Sequence, residues 1–159
     1  MLEFASIDQN IVIIHKYFKQ YFKNELKPYD LNAAEGMVLF MLFVQKDRAD
    51  TGAGKSDHQE TFGKTQEQIV DELHYDKSVM ARTMQSLETK GYVLRNDNPQ
   101  DSRSYIFTPT QAAMAFKPVL LSMIKRWHDS MLKDVEHLDV IKTAIKKMAV
   151  NVQEMIKEP

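Results

Sequence analysis

The 159 residues carry 22 acids against 21 bases, for a formal charge of −1, with 43% apolar residues and no cysteine. That composition supports a packed core and excludes wholesale disorder. It also excludes a generally basic polyanion-binding surface, and any disulfide, thiolate nucleophile or thiolate zinc site. The longest apolar run, Met37–Val44, is eight residues and too short to span a bilayer, and the first ten residues lack the basic stretch of a signal peptide. The expectation is a cytoplasmic chain with no membrane contact.

In chain order, residues 1–27 predict a helix, because Ile7, Ile11, Ile14, Phe18 and Phe22 recur at steps of 4, 3, 4 and 4 and form one apolar stripe that Pro28 ends. Asn32 and Glu35 have the spacing of a capping box. The stretch Met37–Val44, apolar on nearly every face, predicts a buried central helix that Gly36 weakens slightly. Residues 45–64 hold three of the five glycines and many charges, which predicts a long loop, disordered over 49–57.

Thr65 and Gln68 form a second capping box, opening a short helix with Ile69, Val70 and Leu73 inward. After the break His74-Tyr75-Asp76, residues 77–90 predict another helix, with Met80, Met84 and Leu87 on its inner face and Gly91 as its stop. The period then changes to two. Residues 92–95 and 104–107 predict strands, with turn chemistry over 96–103. Thr108-Pro109-Thr110-Gln111 reads as a third capping box with Pro109 in the first helical position. It opens a long helix with Phe116, Leu120, Ile124, Trp127 and Met131 on one face, kinked at Pro118. Finally Leu138, Ile141, Ile145, Met148, Val152 and Met155 step by 3, 4, 3, 4 and 3, an a/d heptad.

Two helices joined by a tight break and followed by a charged hairpin describe a winged helix-turn-helix. The fold class is therefore mainly α with a small β-hairpin wing. A helix of this kind fits a major groove, and a hairpin tip can reach the neighbouring minor groove. Charge agrees: residues 77–107 carry five bases against three acids, whereas residues 31–76 carry four bases against nine acids. None of the five histidines has another at helical metal-pair spacing, and neither a nucleophile elbow nor a glycine-rich phosphate loop occurs. No enzyme activity, metal or cofactor is expected.

Residues 30–111 resemble the MarR family of winged-helix transcription regulators. The resemblance rests on Asp76-Lys77-Ser78-Val79-Met80-Ala81-Arg82 and Leu87-Glu88-Thr89-Lys90-Gly91-Tyr92-Val93, which look like that family's recognition helix and first wing strand. It rests also on Asn98-Pro99-Gln100-Asp101-Ser102-Arg103, which looks like its wing, and on the Phe107-Thr108 exit. His74 stands where the family often has glycine, Gln111 replaces a glycine common after the wing, and the 45–64 segment is long.

The resemblance implies roles for particular residues. Arg103 becomes the minor-groove arginine and Asp101 its orienting partner. Lys77, Ser78, Val79, Ala81, Arg82 and Thr83 lie off the apolar stripe and are expected to face the major groove. Arg82 is the best guanine reader there, and Lys77 and Ser78 suit phosphates equally well. Ile7, Ile11, Ile14 and Phe18, with Leu138, Ile141, Ile145, Met148 and Val152, lie outside the winged unit. A symmetric dimer is the economical way to cover them. The implied division is a dimerisation helix over 1–30, the DNA-binding domain over 31–110 and dimerisation helices over 111–159. The implied function is a homodimeric repressor on pseudo-palindromic double-stranded DNA, relieved by a small aromatic or anionic effector. The competing reading is a winged-helix protein–protein adaptor that does not bind DNA, which the acidic 31–76 stretch motivates.

Overall fold

The computed structural model describes residues 2–50 and 63–157, with side chains placed over 6–47 and 63–156. The chain begins with helix α1 (Leu2–Leu26), a 3-10 turn over Lys27–Tyr29 and helix α2 (Ala33–Asp50). Strand β1 (Lys64–Thr65) precedes helices α3 (Gln66–Leu73) and α4 (Lys77–Thr89). Strands β2 (Val93–Asp97) and β3 (Tyr105–Pro109) lead into helices α5 (Gln111–Met131) and α6 (Leu138–Lys157). The three strands form one antiparallel sheet in the order β1-β3-β2, so the fold is mainly helical with a small winged sheet, as the sequence implies. Residues 1–127 and 128–159 are two compact units.

The helix starts follow their caps. Asn32 Oδ1 accepts from the Glu35 amide at 3.0 Å and Glu35 Oε2 accepts from the Asn32 amide at 2.7 Å, closing the first box. Thr65 and Gln68 close the second in the same reciprocal way. The core of the first unit joins Phe22 and Leu26 of α1, Val38, Leu39, Leu42 and Phe43 of α2, Ile69 of α3 and Met80, Met84 and Leu87 of α4. Val93, Phe107, Phe116 and Leu120 complete it from the sheet and α5. Gly36 is needed where α1 meets α2: a Cβ there would stand 2.6 Å from Leu26 Cδ1 and 3.0 Å from Phe22 Cε1.

Three boundaries differ from expectation. Residues 45–50 belong to α2 rather than a loop, because nothing in Gln45–Asp50 breaks a helix before Gly52. Gln45 Nε2 also donates to the Gly63 carbonyl at 2.9 Å, tying this last part of α2 to the start of β1. The expected disorder, where it concerns residues 51–57, lies outside the described residues. Both hairpin strands begin one residue and end two residues later than expected: Asn96 and Asp97 pair with Ile106 and Tyr105, while Thr108 and Pro109 pair with Leu94 and Val93. The third capping box is therefore displaced. Thr110 is the cap, its Oγ1 accepting from the Ala113 amide at 3.1 Å and donating to the Gly91 carbonyl at 2.7 Å. Proline tolerates β3 because Pro109 closes the strand, where a missing donor costs little.

Of the N-terminal stripe, Phe22 is buried and Phe18 half-buried, but Ile7, Ile11 and Ile14 are about half exposed. On α6, Leu138 and Ile141 are half-buried, whereas Ile145 is 60% and Val152 51% exposed, with Met148 at 38%.

Candidate nucleic-acid interface

Helices α3 and α4 are joined by a tight turn that works because His74 adopts a left-handed conformation (φ 54°) and its amide closes on the Val70 carbonyl at 2.8 Å. That is the position at which glycine would be expected. Met80, Met84 and Leu87 are at most 1% exposed and anchor α4 on the core. Their spacing turns Lys77, Ser78, Ala81, Arg82 and Gln85 to the surface, with Val79 half-buried. Arg82 Nε donates to the Ser78 carbonyl at 3.3 Å, which lays the guanidinium along the exposed face.

Thr83 is a correction. It is 6% exposed, and its hydroxyl donates to the Val79 carbonyl at 2.9 Å, one turn back on its own helix. It does not belong to the outward row. Lying beside Met80 and Leu87 on the helical wheel, three residues after one and four before the other, it faces the edge of the core, where a threonine satisfies itself locally. Gln85, three residues beyond Arg82, takes the place expected for Thr83. Its i+3 spacing from Arg82 was the available signal.

The far end of α4 is fixed by charge. Lys90 Nζ donates to both oxygens of Glu35, at 3.0 and 3.1 Å, and to the Asp30 carbonyl. Glu35 is fully buried, whereas Lys90 keeps a quarter of its side chain exposed. The capping carboxylate of α2 thus doubles as the counter-ion that seats the recognition-type helix. Nothing in local sequence joins positions 55 residues apart.

The wing tip is built by short polar bonds. Asn98 Oδ1 accepts from the Gln100 amide at 3.0 Å, and its Nδ2 donates to Ser104 Oγ at 2.8 Å. Asp101 Oδ1 accepts both the Arg103 amide at 3.0 Å and Arg103 Nε at 3.4 Å. The arginine side chain is 91% exposed, so the carboxylate holds its base while the guanidinium projects outward. Lys77, at the start of α4, and Asp101 and Arg103, on the wing, line one groove of about 630 Å³. The structure thus brings the two predicted reading elements together.

A second groove of about 500 Å³ lies between α1, its 3-10 turn and α5, with Tyr29, Pro28, Val119, Met123 and Arg126 in its wall. Arg126 pairs with Glu25. That hydrogen bond, reinforced by one involving Tyr21, holds the guanidinium above its ordinary pKa. Among the described residues, no group of acids and histidines could hold a metal ion, and no helix is long and apolar enough to cross a membrane.

Comparison with known proteins agrees with this geometry. A MarR family model matches residues 57–104, the segment running from before α3 to the wing tip. The HTH-type transcriptional regulator BilQ of Clostridioides difficile (strain CD3) is 25% identical over 158 residues, covering 96% of each chain. The fold is similar to that of a MarR transcriptional regulator from Methanosarcina mazei Go1, with a TM-score of 0.77 at 23% identity over 95% of this chain and 99% of that one. A MarR family regulator from Listeria monocytogenes, crystallised with 26mer DNA, has a TM-score of 0.76 at 18% identity over 92% and 88% of the two chains.

Proposed function

We propose that this chain is a MarR-family transcription regulator, a homodimer that reads a pseudo-palindromic operator. Each α4 enters a major groove and each Arg103 enters the minor groove beside it. The observation that carries the reading is the shared groove: Lys77 and Arg103 line one surface, and the exposed row Ser78, Ala81, Arg82 and Gln85 continues from it. Arg82 supplies the bidentate geometry that guanine needs and Gln85 that of adenine; Lys77 and Ser78 hold phosphates. Two copies would present this unit on successive major grooves about 34–36 Å apart. The partly exposed Ile7, Ile11 and Ile14, and separately Ile145, Met148 and Val152, are the apolar faces that a second copy covers.

Regulation follows the family pattern. The protein acts as a repressor, and a small aromatic or anionic effector relieves it by binding one dimer geometry better than another. The groove beside Tyr29 and Arg126 supports such a site, because it offers one aromatic wall and a guanidinium that an anionic effector would share with Glu25.

The test is selection of binding sites from a random duplex pool, followed by fluorescence anisotropy against salt. Binding should fall steeply as salt rises, since phosphate contacts release counterions. Arg103→Ala should lose roughly tenfold or more in affinity with an unchanged melting temperature. A wild-type protein that enriches no duplex at low salt, and that captures a protein partner instead, would establish the adaptor reading.

A further inference from the structure

Between the start of α4 and the wing tip lies the outer end of the sheet, which takes no part in base reading. Val93, Arg95 and Asp97 alternate onto one face of β2, opposite Pro109, Phe107 and Tyr105 of β3. The inner end of this face, at Val93 and Phe107, is core. Its outer end leaves the core. There the Arg95 guanidinium lies over the Tyr105 ring, 3.5 Å from its centroid. The two residues are diagonal neighbours across the ladder, a spacing that long and aromatic side chains bridge. Both line the same groove as Lys77 and Arg103.

On a duplex, the major and minor grooves on either side of one strand are separated by that strand's sugar–phosphate backbone. If α4 occupies one groove and Arg103 the other, the backbone between them must cross whatever lies between Lys77 and Arg103. That surface is the groove holding Arg95. The acids on its lining are Glu67, on the exposed first turn of α3, and Asp101, already engaged by Arg103. Three cations thus face two acids, one of them committed.

We infer that the groove between the start of α4 and the wing seats the phosphate strand separating the two grooves, with Arg95 as its phosphate contact and Tyr105 as the residue that positions Arg95. The ring holds the guanidinium by cation–π attraction and restricts a side chain that would otherwise sample many rotamers. Tyr105 contributes the face of its ring, so its hydroxyl is dispensable. The inference rests on the DNA reading proposed above. It adds a sequence-independent contact to the base-reading set.

The experiment uses the full-length protein with two labelled duplexes, one recovered by selection with the wild type and one scrambled, titrated from low to high salt. Arg95→Ala should weaken both duplexes by a similar factor, on the order of tenfold, and should flatten the log–log salt slope by about 0.9 for each contact removed, or about 1.8 for a two-fold dimer. Arg95→Lys should retain most of that slope. Tyr105→Phe should bind like the wild type, whereas Tyr105→Ala should lose roughly two- to fivefold for each protomer while keeping most of the salt slope, because the charge remains. Melting curves establish that each variant is folded. Should Tyr105→Ala fail to fold, the Arg95 pair and Tyr105→Phe still decide the matter. Wild-type affinity and slope in Arg95→Ala would overturn the inference while leaving the DNA reading intact. Loss confined to the selected duplex would assign Arg95 to base reading and overturn it too. A wild type that binds neither duplex would sink both proposals together.

Discussion

Replacing Lys90 by methionine tests how α4, the proposed recognition helix, is held. The substitution keeps the apolar stem and removes the ammonium that donates to both Glu35 oxygens at 3.0 and 3.1 Å. Glu35, with no exposure, would retain the Asn32 amide at 2.7 Å as its hydrogen-bond donor among the described residues. Removing one partner of a buried ion pair typically costs about 3–5 kcal/mol, because the remaining charge is left desolvated. Lys90 is a quarter exposed, so water can partly replace it and the lower end, about 3 kcal/mol, applies. The Asp30 carbonyl adds little, since Asp30 lies at the surface and its oxygen can turn to water. For a chain of this size about 3 kcal/mol corresponds to a fall in melting temperature of roughly 6–12 °C.

The assay is calorimetry at one fixed protein concentration, so that any concentration dependence of the midpoint is common to all variants. Adding Glu35→Gln to Lys90→Met should recover most of the loss, leaving about 1 kcal/mol, since the amide can still accept from Asn32 without a buried charge. DNA affinity should follow the same order, with the single variant weakest. A Lys90→Met protein melting within about 2 °C of the wild type would refute the reasoning. It would mean that Glu35 finds another partner or that its burial is relaxed in solution.

Four further outcomes follow from named contacts. Gly36→Ala should destabilise by roughly 1–2 kcal/mol in chemical denaturation, the crowding against Leu26 and Phe22 outweighing alanine's better helix propensity. A gain in stability would show that α1 can move away from α2. Gly91→Ala should also cost about 1 kcal/mol, but from backbone strain at φ 75° rather than from space, as nothing stands within 4 Å of a Cβ there. Thr83→Val should leave both stability, within about 0.5 kcal/mol, and operator affinity unchanged, because its hydroxyl serves only its own helix; a large drop in affinity by anisotropy would restore Thr83 to the reading set. Ile145→Glu should leave the helical circular dichroism signal intact and shift sedimentation toward the monomer, since the side chain is 60% exposed within one chain; unchanged sedimentation of a dimeric wild type would remove this face of α6 from the interface.

Periodicity and cap chemistry in the sequence determined most of this protein's local structure. The boxes at Asn32 and Thr65, the inner row Met80, Met84 and Leu87, the stop at Gly91 and the Asp101–Arg103 arrangement all depend on residues a few positions apart. Such interactions are fixed by backbone geometry before any distant segment arrives. Tertiary structure decided where two local patterns compete or where the partner is remote. Thr108 looked like the cap, but its strand pairing with Leu94 left the task to Thr110. Thr83 borders both the inner and outer faces of its helix, and the packing around it determined which it joined. Glu35 and Lys90, like Arg95 and Tyr105, meet only after chain folding closes the intervening segments. Spacing along one element cannot encode a contact whose geometry is set by how separate elements pack.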